Sequence, residues 1–331
     1  MQSGTQRQAA RGVAHGAAAS TTRSSDAAAR AQALGLSWAD AMALLAVLLW
    51  GLNFPITKQV MTLLPPIAAA FIRSGVSSLV YIAVLGITGQ WRLPERRDRW
   101  LVILLGLGGM GLNTALYVYG LHLTTASHSG LIYTLTPLFV FASSHLLGYL
   151  RLARRDLVGL ALGLAGAVLI VGAPVLTGQE PDGASLAGDL LTGASALVWG
   201  VWMMLAAPLL ARYGALRTTA WITSAGALGL CLPAAPALLA QDWPRLPWTA
   251  FAALAYSGLL AGALAWLLWY VAVGRLGAAR TMVYANMESF FVVLFSALLL
   301  AERVEWTALV GGVAVVAGVL LTRRGRGQQS G

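Results

Sequence analysis

From Trp38 onward the chain alternates long apolar stretches with short polar ones, in runs too long for strands and too apolar for a soluble helix bundle. Examples are Ala41 to Trp50, Leu157 to Val171 and Val292 to Ala301. A membrane-spanning helix needs about 20 mostly apolar residues, and ten segments approach that length: 40–60, 66–88, 100–120, 127–149, 156–173, 187–209, 218–240, 248–272, 280–300 and 307–322. The connections carry helix breakers, among them "LPP" at 64–66, "GQEPDG" at 178–183 and "DWPRLP" at 242–247. The pattern therefore predicts an all-α integral membrane protein with ten transmembrane helices.

Composition agrees. Of 331 residues, 58% are hydrophobic and only 10% charged, with a mean hydropathy of +0.73, whereas soluble domains carry about 25% charge. Cys231 stands alone and the four histidines are scattered, so no disulfide, metal site or cofactor is expected. Residues 1–36 are rich in Ala, Ser and Gly, contain Arg7, Arg11, Arg23 and Arg30, and lack an apolar run. They predict a disordered basic tail rather than a secretory signal.

Loop charge sets the expected orientation. With the N-terminus cytoplasmic, 18 basic residues fall on the inner side, against Lys58, Arg245 and Arg303 outside, and Arg73 lies inside a span. The positive-inside rule then places both termini, including a basic 323–331 tail, in the cytoplasm of a cell (inner) membrane. The net charge of +10 sits in short loops, so no nucleic-acid partner is expected.

The sequence also repeats. "LVGLALGLAGAVLI" at 157–170 aligns with "LVGGVAVVAGVLLT" at 309–322, and "LVWGVW" at 197–202 echoes "LLWGLN" at 48–53. Five spans separate the copies. An odd number inverts orientation, so 37–175 and 184–322 are predicted to be two inverted five-helix repeats, an arrangement used by secondary transporters.

These residues carry a resemblance. Halves opening with Trp50-Gly51 and Trp199-Gly200 and closing with Ala/Gly-rich spans resemble the EamA family of the drug/metabolite transporter superfamily. "LTPLF" (Leu135 to Phe139) is similar to its fourth-span Leu-Thr-Pro segment. Asn286-Met287-Glu288 is similar to its Asn-x-Glu, with Ser289 where proline is usual, and Ala301-Glu302-Arg303 resembles its Gly-Glu-Arg. The first repeat departs with "GYLRLARR", which lacks the acid. The resemblance implies a carrier for amino acids or other metabolites.

Candidate chemistry lies where polar groups interrupt the spans. Glu288 shares a helical face with Tyr284, Phe291 and Phe295. Other stripes present Trp50 and Asn53, Asn113 and Tyr117, Tyr133, Trp199 and Trp202, and Trp266 and Trp269. Arg73 is the expected partner of Glu288. Their Cα levels lie about 10 Å from the outer end and about 12 Å from the inner end of their spans, so across a core of about 30 Å they differ by only about 8 Å. Unpaired, each charge would cost about 3 kcal/mol, which pairing or a neutral carboxyl relieves. All of these except Phe291 and Phe295, twelve residues, are the candidates for substrate binding or coupling, with a small molecule and a proton as ligands and the lipid bilayer as surroundings. An intramembrane hydrolase is the alternative, but "SHSG" at 127–130 lacks the first glycine of a nucleophile elbow. A receptor or scaffold would be expected to carry a soluble domain. The expectation is a secondary-active, non-enzymatic exporter of an amino acid or related metabolite.

Overall fold

The computed structural model describes residues 37–146, 154–177, 185–276 and 278–324. The predicted N-terminal tail, the "GQEPDG" connection, most of the C-terminal tail and the side chain of Asn286 lie outside the described residues. Those that are described form helices and connections, with no strand among them. In chain order the helices are α1 (Trp38–Val60), α2 (Pro66–Ile87), α3 (Arg96–Leu123), α4 (Ala126–Tyr133), α5 (Thr136–Leu146), α6 (Arg154–Thr177), α7 (Leu186–Tyr213), α8 (Ala215–Ala240), α9 (Trp248–Leu276), α10 (Ala278–Leu300) and α11 (Trp306–Arg324). Six of them, α1, α2, α3, α7, α8 and α9, are long and apolar enough to cross a membrane. Shorter apolar stretches fill α6, α10 and α11.

Local chemistry explains the boundaries. Ser37 caps α1 in a reciprocal capping box with Asp40. Pro66 occupies the first turn of α2, where its missing N–H costs nothing. The stretch expected as one span over 127–149 is instead two helices. Pro137 cannot donate to the carbonyl four residues back, and Thr134 and Leu135 turn with three-residue hydrogen bonds to Leu131 and Ile132.

Two π-helical runs, unforeseen in the sequence, interrupt α3 at Leu105–Gly111 and α9 at Tyr256–Leu264. In α9 the carbonyls of this run are claimed by neighbours. The Trp50 indole N–H donates to Ala261 O, Ser77 Oγ to Gly258 O, and the Tyr81 hydroxyl to Gly262 O and Ala263 O. In membranes such irregular backbone persists only where the protein itself satisfies it.

Packing follows small residues. At Gly51 a methyl group would come within 2.5 Å of the Phe291 Cβ, so α1 and α10 touch beside Glu288. The closest crossing pairs α6 with α11. A Cβ on Gly166 would meet Gly311 O at 2.5 Å, and one on Gly311 would meet Gly166 O at 2.6 Å. Contacts recur in pairs elsewhere: Gly106 of α3 lies against Ile222 O and Ala225 of α8, while Gly258 of α9 lies against Arg73 O and Val76 of α2.

Charged networks lie at both ends of the bundle. At the end where α1 stops, the Lys58 ammonium donates to Leu121 O, His122 O and Thr124 O. At the opposite end Asp98 of α3 accepts from Arg212 Nη1 and the Tyr213 hydroxyl, each at 2.5 Å. These are called below the Lys58 end and the Asp98 end.

Ala301 adopts φ 53° at the end of α10, a left-handed conformation that disfavours a side chain. Ala301→Gly should therefore stabilise the protein by about 0.5–1 kcal/mol, after allowing for glycine's greater freedom when unfolded. A raised thermal midpoint in detergent is the expected result, and an unchanged or lowered one would show that the strain is absent.

Candidate functional site

A cavity of about 90 Å3 lies midway along the bundle, lined from α1, α2, α3, α4, α7, α8, α9 and α10. Nine sequence candidates reach its wall: Trp50, Asn53, Arg73, Asn113, Tyr117, Tyr133, Trp199, Trp266 and Glu288. Phe54 from the same α1 stripe joins them, as do Ser74, Ser77, Met110, Thr114 and Thr223, which were not singled out from the sequence. A smaller extension between α4, α5, α7 and α10 shares Tyr133, Trp199 and Glu288 with the main space.

Aromatic rings make the apolar walls. Toward the Lys58 end, Phe54 meets Tyr117 at 5.2 Å and Tyr133 at 5.5 Å between centroids, both edge-on. Toward the Asp98 end, Trp50, Trp199 and Trp266 meet at 4.9 to 6.4 Å. Tyr133 and Trp199, 5.9 Å apart, connect the two groups. Edge-on aromatic contacts of this kind are themselves attractive.

The polar wall is held in place. The Asn113 side-chain amide donates to Ser195 O at 2.8 Å and to Ser195 Oγ at 2.9 Å, and the Tyr133 hydroxyl is 2.6 Å from the same Oγ. The Asn113 amide nitrogen is thereby engaged by both Ser195 oxygens. Asn53 accepts from Ser257 Oγ at 2.7 Å and donates to the Tyr117 hydroxyl at 3.4 Å. Thr223 Oγ1 and Trp199 Nε1 have no hydrogen-bond partner among the described residues.

Arg73 and Glu288 share the cavity, but the expected direct pair does not form. They are absent from the ion pairs of the described residues, which involve Arg97, His128, Arg212 and Arg245 with acids other than Glu288. Instead the Arg73 guanidinium lies over the Tyr117 ring, 5.1 Å from its centroid, a cation–π contact. Glu288 is 8% exposed and is set by the α1–α10 contact at Gly51. The physical reason for the difference is that depth along two helices says nothing about their separation across a cavity.

Three candidates stand off the wall. Trp202 is buried against Gly109 and meets Trp266 at 5.8 Å. Trp269 packs behind Trp50 at 5.4 Å. Tyr284 donates to Asp40 Oδ1 at 2.8 Å at the start of α1. Sequence spacing missed Ser195, Ser257 and Asp40. Their only signal was a polar residue among small apolar ones, shared by many structural serines.

An all-helical bundle with apolar helices of spanning length around a polar central cavity defines a multi-pass membrane protein. The sequence profile of the EamA-like transporter family matches residues 37–172 and again residues 186–324, so the chain belongs to that family. It is similar to an uncharacterized transporter of Archaeoglobus fulgidus, 27% identical over 84% of this chain and 94% of the relative. A probable terminal-alkyne amino-acid exporter of Streptantibioticus cattleyicolor is 29% identical over 85% and 91%. A WAT1-related protein of Arabidopsis thaliana is 29% identical over 66% and 65%. One crystal structure shares the fold, with a TM-score of 0.59, 22% identity, and coverage of 86% of this chain and 98% of the other. Family and relatives make the protein a membrane transporter for a small molecule and point away from enzymatic activity.

Removing the shared Ser195 hydroxyl takes away the Tyr133 partner and one of the two Asn113 bonds, leaving only the bond from Asn113 to Ser195 O. Ser195→Ala should therefore cost about 1–3 kcal/mol, read as a fall in the thermal midpoint in detergent. Unchanged stability would mean that the hydroxyl does not hold these side chains.

Proposed function

We propose that the protein is a secondary-active carrier that exports an amino acid or a closely related zwitterion by alternating access. The observation that carries this reading is the placement of Arg73 and Glu288, unpaired with each other, on the wall of one aromatic cavity. A separated guanidinium and carboxylate match the two ends of a zwitterion. The substrate carboxylate would sit toward Arg73, which stays charged throughout. Its ammonium would sit toward Glu288 and the faces of Trp50, Trp199 and Trp266, where cation–π attraction adds to the ion pair. Thr223 Oγ1 and Trp199 Nε1, without partners among the described residues, would give a bound polar ligand further hydrogen bonds.

Glu288 would exchange the ammonium for a proton, which links substrate movement to a pH gradient. The repeated family match, the paired contacts of α3 on α8 and of α9 on α2, and the two π-helical runs at corresponding places support two inverted five-helix halves. In such carriers one half rocks against the other about a midplane site. Export is supported by the name of the Streptantibioticus relative, a probable terminal-alkyne amino-acid exporter. The loop charges support cytoplasmic termini in a cell (inner) membrane, with the Lys58 end outside.

Uptake of a panel of radiolabelled L-amino acids into inverted membrane vesicles tests the reading. At least one should accumulate, and a pH gradient should enhance it. Glu288→Gln should remove the gradient effect across about pH 5.5 to 8.5 while leaving yield near normal. Absence of uptake for the whole panel would overturn the substrate class, and an unaltered gradient effect in Glu288→Gln would overturn the coupling.

Topology has its own check. In a Cys231→Ala background, Thr62→Cys should react with an impermeant thiol reagent from outside intact cells and Arg97→Cys only after permeabilisation. Labelling of both from outside would contradict the proposed orientation.

A further inference from the structure

Three charged side chains, two from other helices and one from just beyond α10, converge on the short turn between α3 and α4. Lys58 of α1 caps the α3 carbonyls of Leu121 and His122 and reaches Thr124 O. Glu302, just beyond α10, accepts from the backbone N–H of Ala126 and of Ser127, each at 2.9 Å, and so caps α4. Asp189 of α7 accepts from Thr124 Oγ1 at 2.5 Å through one oxygen and faces His128 Nδ1 at 3.2 Å through the other. The His128 and Asp189 side chains are each only 5% exposed, and neither lines the central cavity or its extension.

The other ring nitrogen, His128 Nε2, is buried and has no hydrogen-bond partner among the described residues. With the carboxylate as acceptor, Nδ1 carries the hydrogen, and Nε2 is the atom open to a second proton. We infer that the buried His128–Asp189 pair is a proton-binding site that governs closure of the Lys58 end, separate from the cavity acid Glu288. Only the opening of the cavity to that end rests on the carrier reading.

The physical effect runs through α4. A proton on Nε2 turns an imidazole–carboxylate hydrogen bond into an imidazolium–carboxylate ion pair, which is stronger in a low-dielectric interior. That draws α4 onto α7. Loss of the proton leaves α4 held to α7 by hydrogen bonds such as Ser129 Oγ to Thr192 Oγ1 at 3.2 Å. Because α4 also carries Tyr133 on the cavity wall, its release from α7 parts the wall toward the Lys58 end.

The surrounding charges are few. Lys58 approaches from α1, Asp189 from α7 and Glu302 from beyond α10, while His122 of α3 is exposed at the same end. The hydrophobic cluster joining α4 to α6 and α11 contributes Leu160, Ala167, Ile170, Ala308 and Val315, none of them titratable. A proton-dependent change at this end therefore has His128 as its buried site.

Cysteine accessibility tests this without any substrate. Ser74→Cys, on the cavity wall, is made in a Cys231→Ala background and treated in proteoliposomes with an impermeant methanethiosulfonate from the Lys58 side. Its rate is divided by that of Thr62→Cys, exposed at the same end, to remove the reagent's own pH dependence. The ratio should rise about three-fold or more from about pH 5.5 to 8.5. It should become flat in His128→Gln and in Asp189→Asn, and keep its slope in Glu288→Gln and His122→Gln. A flat ratio in the parent, or a slope that survives in both pair variants, would overturn the inference. So would a slope that disappears in Glu288→Gln. Failure of amino-acid uptake with the expected accessibility pattern would count against the substrate reading alone.

Discussion

Inside a hydrocarbon layer no water is available to satisfy a backbone carbonyl, an amide or a charge, so each must find its partner within the protein. The described helices are organised around that constraint. Where α9 departs from α-helical geometry, Trp50, Ser77 and Tyr81 take up its carbonyls. Where α3 gives way to α4, Lys58 claims the last carbonyls and Glu302 the first amides. Where Asn113 faces the interior, both Ser195 oxygens engage its amide nitrogen. The same side chains therefore fix the helix crossings and shape the cavity.

Against that background Arg73 and Glu288 stand out because they are not spent on each other. Arg73 rests over Tyr117, and Glu288 is held on the wall by the contact of α10 with Gly51. Two opposite charges kept apart in a common space retain binding energy for a ligand that brings both complementary charges. A directly bonded pair would act as a strut between helices instead. In the proposed reading the aromatic lining would add selectivity for shape and for a cationic group without adding charges of its own.

Much of this was legible in the sequence, and the limits have physical causes. Apolar runs of spanning length gave α1, α2, α7 and α8 close to their observed bounds, because lipid fixes both the length and the composition of a helix. The break at Thr134 was not foreseen, although Pro137 was in view, since membrane helices often absorb a proline without stopping. The π-helical runs in α3 and α9 have no signature beyond scattered glycines. Nine of the twelve candidate residues meet at one cavity, and for the polar ones among them the reason is that a polar residue at mid-span is costly when it faces lipid. Tyr284 misled: its spacing from Glu288 put it on the same helical face, but that face also turns toward α1, where Asp40 captures it. Asp189 and His128 went unnoticed as a pair because sixty-one positions separate them, and only the folded chain brings α4 onto α7.

The central claim is that the cavity recognises both charges of a zwitterion, one through Arg73 and the other through Glu288. Equilibrium binding to the purified protein tests this most directly. The ligands are an L-amino acid that the vesicles accumulate, its methyl ester, and its deaminated carboxylic acid. Each analogue should bind at least about ten-fold more weakly than the amino acid, since each forfeits one charge-assisted contact. Arg73→Gln should abolish the discrimination against the ester alone, and Glu288→Gln that against the deaminated acid alone. Equal affinity for all three ligands, or discrimination that survives in both variants, would contradict the account.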